Sequence, residues 1–510
     1  MSYFGESIHT KCGRSVIRMN IPDRQLTADE LNTILSKSIK IHFSNVQHIS
    51  YLYNYYLGKQ PILNREDKKV RPEIDNRTVE NWAKYITDFK VGFIWGEPIQ
   101  LIKSKNEKPD EIENVSEDAI DEQVNLLNRY YALNHKHRKD RDCGFWTTIC
   151  GVSYMSCLPS EDDFPFELYD LDPRCTFIIY SCDFKQEPLM AVTYNAIEEI
   201  DGKFSYTMTA YTKKFIYTFR QNDLWDTTTD LVTTYNMINR IPIVEFKNNS
   251  TRVGAFEAEL PLLDNINLIC SDRMNDISQA VQWFMKFINV DIDEATYDKF
   301  KAKGVIVVKG EPGNTPVVDC VVNTLDQEQV QIFKDDMIRS LHILCHVPER
   351  NANPGDNTGQ ALIVGQGWSD AESNAKDIEA SNKEAQEKLL QIAISICKNM
   401  TNVEKSLKET KLENIDIKYT RNRSDNLLVK TQSLKNMLDS GVHPLVAFKI
   451  CGLFSDPQKA YEQSKNYLDL FFAQKKKDNT DETAEPDIDT GAGQNLYNQS
   501  QQKQKDVDKN

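Results

Sequence analysis

Three long stretches of helical hydrophobic periodicity constrain this chain more than anything else in it. Leu263, Ile266, Cys270, Met274, Ile277, Val281, Phe284 and Ile288 recur at steps of three and four, the spacing that gathers side chains on one helix face. A second stripe follows at Val330, Phe333, Met337, Leu341 and Leu344; it opens on Thr324-Leu325-Asp326-Gln327, a capping-box pattern, and must stop near Pro348. The third runs through Val364, Trp368, Ala371, Ala375, Ile378, Asn382, Ala385, Leu389, Ile392 and Ile396. Its three alanines permit close approach of another element, and packing on its own domain is expected over a free coiled coil. Between the first two stripes, Val305–Val308 and Val317–Val322 are β-branched runs separated by Lys309-Gly310-Glu311-Pro312-Gly313-Asn314-Thr315-Pro316. That pattern predicts a pair of short strands joined by a turn. Between the second and third lies Asn351-Ala352-Asn353-Pro354-Gly355-Asp356-Asn357-Thr358-Gly359, where Pro354 and Gly355 stop either helix and the Asn and Asp side chains satisfy their own backbone.

A chain of 510 residues with 40% hydrophobic content buries a large core and predicts two to four domains. The net charge of -15 and a pI near 5.2 argue against electrostatic gripping of nucleic acid. No apolar run reaches bilayer length and the N-terminus lacks the form of a signal peptide, so no membrane is expected and the eleven cysteines are expected reduced.

Upstream of the three stripes, Thr27-Ala28-Asp29-Glu30 reads as a helix start, with Leu31, Ile34, Leu35, Ser38 and Ile39 on one face. Tyr51, Tyr53, Tyr55 and Tyr56, closed by Gly58, read as rings packed onto a core. A further helix carries Trp82, Tyr85, Ile86 and Phe89 and ends at Gly92 or Gly96. From Gly151 to Phe246 the period changes to that of mainly antiparallel strands, with a hairpin signal at Asp201-Gly202 and Pro242 marking an edge strand or a strand start. Beyond Asn426 come helical segments, and from Lys475 the composition predicts a disordered tail.

Catalytic and metal motifs are missing from the sequence: there is no phosphate-binding loop, H-E-x-x-H or C-x-x-C, and Gly365-Gln366-Gly367 is a fragment of a dinucleotide fingerprint that follows no strand. His135 and His137, with Cys143, Cys150 and Cys157 at seven-residue steps, match no common zinc pattern, and Lys136 to Arg141 reads better as a solvated charged face. Glu161-Asp162-Asp163, between Pro159 and Pro165, reads as an exposed loop.

Several weak motifs occur in a telling order: Tyr55-Tyr56-Leu57-Gly58; Asn81-Trp82 with Gly92-Phe93-Ile94-Trp95-Gly96-Glu97-Pro98; Leu171-Asp172-Pro173-Arg174; Ile241 to Asn249; Leu262 to Asn267 with Ser271-Asp272; and Thr358-Gly359-Gln360-Ala361-Leu362. Over roughly residues 40–400 this order resembles the portal proteins of long-tailed double-stranded DNA bacteriophages. The last motif has Thr358-Gly359 where Ser-Gly is usual, and the hydroxyl is kept. The resemblance implies an α+β portal fold: an N-terminal helical arm at 1–60, a wing at 61–256, stem helices at 257–288 and 325–348, and a β-containing clip at 289–324. A tunnel loop at 349–359, a long wing helix and return segment at 360–424, a helical crown at 425–474 and the tail at 475–510 complete it.

It further implies a non-enzymatic ring of about twelve subunits at one capsid vertex, assembled in the bacterial host cytoplasm and carried in the virion. Double-stranded DNA passes through it non-specifically, without a cofactor. The implied partners are the terminase large subunit, a head-completion or adaptor protein, and the major capsid and scaffolding proteins. Motor docking would fall on the clip at Lys309, Gly310, Glu311, Pro312, Gly313 and Asn314. The tunnel loop would comprise Asn351, Asn353, Pro354, Gly355, Asp356, Asn357, Thr358 and Gly359.

The polar face of the first stripe carries Asp264, Asn267, Ser271 and Asn275, with Asp272 and Asp276 beside it and no Lys or Arg on that face until Lys286. On the resemblance it lines the channel, where a face that ignores phosphates favours sliding. The three long helices together expose more apolar stripe than one chain covers, which predicts self-association. Two other readings remain at this stage: a metal-dependent nucleic-acid-processing enzyme of a mobile element acting through the carboxylates near Asp162, and a cytosolic helical scaffold built on the Val364–Ile396 stripe.

Overall fold

The computed structural model describes residues 12–69, 72–104, 117–160, 164–198, 204–221, 229–281, 284–288, 317–321, 327–349, 367–400, 403–421, 427–451, 453–454 and 457–481. Two compact units divide the chain, residues 1–422 and 423–510.

The first unit mixes helices and sheets. Helix α1, Ala28–Tyr56, starts at a complete capping box, Thr27 bonding the Glu30 amide while the Glu30 carboxylate returns to Thr27. It ends at Gly58, whose φ of 84° supplies the left-handed residue that lets the last carbonyls of α1 be capped. Its N-terminal half lays Leu31, Leu35 and Ile39 on a six-stranded sheet, and its C-terminal half puts Ile49, Leu52 and Tyr55 into a helical core. One helix therefore serves two cores.

The six-stranded sheet has the order β1 (Ile17–Arg18), β5 (Thr176–Tyr180), β6 (Pro188–Glu198), β7 (Phe204–Thr212), β8 (Phe215–Gln221), β9 (Thr229–Tyr235). All pairings are antiparallel except β1 on β5. Strands β6 and β7 pair antiparallel with Glu198 opposite Phe204, on either side of the expected hairpin signal at 201–202, which lies outside the described residues. A second sheet has the order β10 (Ile243–Lys247), β3 (Val152–Pro159), β4 (Phe166–Leu171), with β10 at its edge directly after Pro242. Two further strands, β2 (Gln100–Lys103) and β13 (Ile415–Lys418), pair antiparallel.

Helices α2 (Trp82–Ile94), α3 (Glu117–Leu133) and α4 (Lys136–Cys150) lead into the second sheet. Gly151 ends α4 at φ 80°, and a Cβ there would lie 2.2 Å from the Arg252 carbonyl oxygen, so only glycine fits. The segment expected to be a solvated face, Lys136 to Arg141, is instead partly interior. Lys136 and Asp140 are buried and ion-paired at 2.6 Å, and Gln386 adds a bond to Asp140 at 2.9 Å. The cause is α4's place between the second sheet and a later helix, which leaves it no fully wet side.

Helix α5, Leu260–Val281, and helix α6, Gln327–Leu344, pack on one another and on α1 and α2 through Leu263, Ile266, Met337 and Leu341. The first periodic stripe was expected to stay helical to Ile288; instead Phe284–Ile288 is a strand, β11. Phe284 and Ile288 stand four apart, a spacing that fits both the helix and strand periods and so cannot separate them. Strand β12, Val317–Val321, pairs antiparallel with β11, so its described partner is 284–288 and not the run at 305–308, which lies outside the described residues. The clip residues 309–314, the loop 351–359, the capping pattern at 324–326 and the acidic run 161–163 also lie outside them.

Helix α7, Trp368–Asn399, buries the predicted stripe from Ala371 on, through Ala375, Ile378, Asn382, Ala385, Leu389, Ile392 and Ile396; Trp368 is half-buried and Val364 lies outside the described residues. Ala371, Ala375 and Ile378 lie against Phe93, Ile94 and Trp95, and Ala385, Leu389, Ile392 and Ile396 against the second sheet, α3 and β13. Packing on its own domain is therefore what occurs.

The second unit consists of α8 (Leu427–Asp439), α9 (Pro444–Cys451) and α10 (Pro457–Asp481). Phe448 stacks on Phe454 and meets Tyr461 edge-on. Helix α10 runs seven residues beyond 474 into what composition marked as tail, since an established helix extends through Lys-rich sequence at little energetic penalty.

Candidate functional site

The polar face of α5 holds the clearest built constellation. Residues 75–80 run extended beside it, antiparallel to it. The Asn76 amide donates to Asn275 Oδ1 at 2.6 Å, the Thr78 amide to Ser271 Oγ at 2.9 Å, and the Glu80 amide to Asn267 Oδ1 at 2.8 Å. Asn76 Nδ2 adds Ser278 at 3.1 Å. The register follows from geometry: four helical residues rise about 6 Å and two extended residues advance about 6.6 Å. Every second amide of the strap therefore meets every fourth side chain of the helix, and each backbone donor that would be orphaned under cover finds an acceptor.

This geometry corrects part of the channel assignment. Asn267, Ser271 and Asn275 are 0% exposed, so they bind the strap and cannot line an aqueous channel. Asp264 is half-buried and accepts from the Tyr55 hydroxyl at 2.8 Å; burial, then the neighbouring Asp264 charge, push the Tyr55 hydroxyl far up. Asp272 stays at the surface, paired with Arg65 at 2.7 Å, and Asp276 is half-exposed.

Glu80 ties the strap to both helices. It accepts from Lys334 of α6, from Cys270 of α5 at 3.2 Å, and from the Trp82 indole at 3.0 Å. Burial opposes its charge, yet the Lys334, Cys270 and Trp82 bonds hold its carboxyl below the usual range. Beside it Asn81 caps α2 through the Lys84 amide and donates to the Tyr56 carbonyl at 2.8 Å. The Tyr55–Gly58 and Asn81-Trp82 motifs are thus two sides of one joint.

The remaining motifs are also structural. Arg174 pairs with Asp172 at 2.6 Å and lies over the Tyr53 and Trp146 rings at 5.2 and 5.1 Å. Glu245, between Val244 and Phe246 in strand β10, is buried with Arg252 on both oxygens, at 2.9 and 2.7 Å, and the Tyr180 hydroxyl at 2.6 Å. Burial works against Glu245, but the Arg252 guanidinium keeps it below the normal carboxylate range. A charge inside a continuous apolar run was the available signal for this pair. Glu80 gave none, because Lys334 and Cys270 are distant in sequence.

Among the described residues no group of three or more His, Cys, Asp or Glu is arranged to hold a metal. Cys143, Cys150 and Cys157 are buried thiols whose pKa values burial raises, the opposite of the thiolate a metal site requires.

Residues 35–468 match the family model described as phage portal protein, SPP1 Gp6-like. The chain belongs to the phage portal protein family. Over 306 residues it is 21% identical to the portal protein of Bacillus phage SPP1, a stretch covering 56% of this chain and 56% of that protein. The chain thus spans little more than half of that relative's length. The family match extends beyond the motif-bearing region into α8, α9 and the first half of α10, segments in which the sequence showed no portal motif. A portal is a structural component of the virion capsid, and among the described residues no helix is long and apolar enough to cross a membrane.

Proposed function

We propose that this portal forms a closed ring of about twelve subunits at one capsid vertex, a non-enzymatic conduit for packaging and ejecting double-stranded DNA. In this reading α5 and α6 form the stem, β11 and β12 with the residues between them form the clip, 61–256 the wing, 349–359 the tunnel loop and 425–474 the crown. The clip, around Lys309 to Asn314, docks the terminase motor and later the head-completion protein. The tunnel loop, Asn351 to Gly359, holds no cation and so approaches DNA without retaining it.

The observation that carries the reading, beyond the family match, is the outer surface of the α5–α6 layer. Leu268, Met274 and Ile277 on α5 and Ile332, Phe333, Ile343 and Leu344 on α6 are exposed, a concentration of apolar surface that a second copy would cover. The two helices offer different faces, which is the requirement of a head-to-tail interface that closes into a ring. The channel-facing set narrows to the acids left near solvent, Asp264, Asp272 and Asp276; Asp264 and Asp276 repel phosphate, while Asp272 is neutralised by Arg65.

Negative-stain microscopy with light scattering at micromolar concentration tests this. The expected result is rings with a central hole and a mass many times the 58.7 kDa of the chain. A monomer at every salt and protein concentration would overturn it.

A further inference from the structure

Near the foot of α5 the N-terminal arm and both sheets close around a cavity of about 20 Å³, lined among others by Arg14, His42, Asn45, Tyr180, Glu245 and Arg252. The carboxylates around it are fully engaged. Glu245 takes Arg252 on both oxygens and Tyr180 on one. Glu257 accepts from Arg14 Nη2 and the Gly13 amide on one oxygen, and from the Gly254 amide on the other. Arg14 is not matched in the same way. Its side chain is 2% exposed, and its Nε and Nη1 have no protein partner among the described residues. Those two nitrogens carry three N–H donors, and a buried donor left unpaired costs about 1–3 kcal/mol. With donors in surplus and the nearby carboxylate oxygens taken, the cavity calls for an acceptor. Its size sets a tight limit, because a water needs about 10–15 Å³ of such space.

We propose that this cavity binds one small hydrogen-bond acceptor, a halide ion or a water molecule, held by Arg14 Nε and Nη1. The bound acceptor completes the coordination of Arg14 and so fastens the N-terminal arm to Glu257, three residues before α5 begins. Two arginines and two glutamates face one another here, and burial depresses His42 to about 4, leaving its ring neutral. The surroundings therefore add no net charge, so a halide binds through the three N–H groups or the place is taken by water.

Crystals of the full chain grown in sodium bromide, with diffraction recorded above the bromine edge, test the site. The expected result is density in hydrogen-bonding contact with Arg14 Nε or Nη1, within about 3.3 Å for a water and a few tenths of an ångström farther for the larger bromide. An anomalous peak there identifies a halide, and ordinary density identifies water. A cavity without density at a resolution that shows ordered water elsewhere, or an Arg14 side chain turned to solvent, would overturn the proposal. The variant Arg14→Lys keeps a cation for Glu257 but places no donor where Nε and Nη1 stand, its three N–H groups all lying on the one terminal nitrogen. In it the density should be lost while the pair with Glu257 persists; density unchanged in R14K would show that other groups hold the acceptor.

Discussion

Helix α7 and the α5–α6 layer carry hydrophobic stripes of the same kind and end in opposite conditions. Every member of the α7 stripe from Ala371 to Ile396 is buried within the chain, under the second sheet, α2 and α3. In the α5–α6 layer the inward half, Leu263, Ile266, Met337 and Leu341, is buried, while Ile277 is 47% exposed and Phe333 58%. Periodicity reports that a helix has an apolar face; it does not report which molecule covers it. The expectation that all three long helices leave surplus apolar surface is therefore wrong for α7 and right for α5 and α6. Folding of the chain satisfies one, and assembly is the natural means of satisfying the others.

The sharpest way to break this comparison is to charge the exposed faces. Ile277→Asp with Phe333→Asp should abolish assembly altogether, leaving a monomer by light scattering whose thermal midpoint is unchanged, since neither side chain is buried in the chain. Rings that persist in the double variant would remove these faces from the interface. The converse change is Leu389→Ala in α7, where a fully buried leucine is cut back. It should lower unfolding free energy by about 2–5 kcal/mol in denaturant titration, with assembly retained under conditions where the chain is folded. A loss of assembly without a loss of stability would invert the assignment.

A third test uses the junction of α2 with α7, where Lys90 is buried and donates to Asn374 at 2.8 Å. Burial depresses its pKa from 10.5 to about 8, with the nearby Cys345 opposing. The unfolded chain therefore holds the proton more tightly between those values, so stability from this group rises with pH from about 8 to 10.5 and sits at its minimum below. Against Lys90→Met, the wild type should lose on the order of 3 kcal/mol across that window as pH falls; parallel curves would show that Lys90 is hydrated. The smallest effect is expected on the strap. Ser271→Ala leaves the Thr78 amide without its acceptor, at about 1 kcal/mol, and hydrogen exchange at Thr78 should quicken several-fold while α7 stays protected. Equal exchange in both proteins would mean that the ladder does not hold the strap.

Local chemistry was legible wherever partners are near in sequence. The helix start at Thr27, the Gly58 helix end, the antiparallel β6 and β7 and the α7 stripe from Ala371 on all rest on contacts a few residues apart or on a single period, and each is found in the structure. The succession of helices and strands carried the portal resemblance for the same reason. Errors arose where a residue's meaning depends on a distant segment. Asn267, Ser271 and Asn275 look like a wet helix face because their sequence neighbours cannot show that residues 76–80, nearly two hundred positions earlier, lie across them. Lys136 looks solvated because nothing near it reveals Gln386 or the sheet that covers α4. Phe284 and Ile288 look helical because a spacing of four satisfies two periods, and only pairing with Val317–Val321 selects the strand. By itself the sequence determined most of the helices and strands, the run 284–288 excepted, and which of their faces are apolar. The tertiary structure decided which faces are covered, since burial is a property of two surfaces meeting and local sequence describes only one of them.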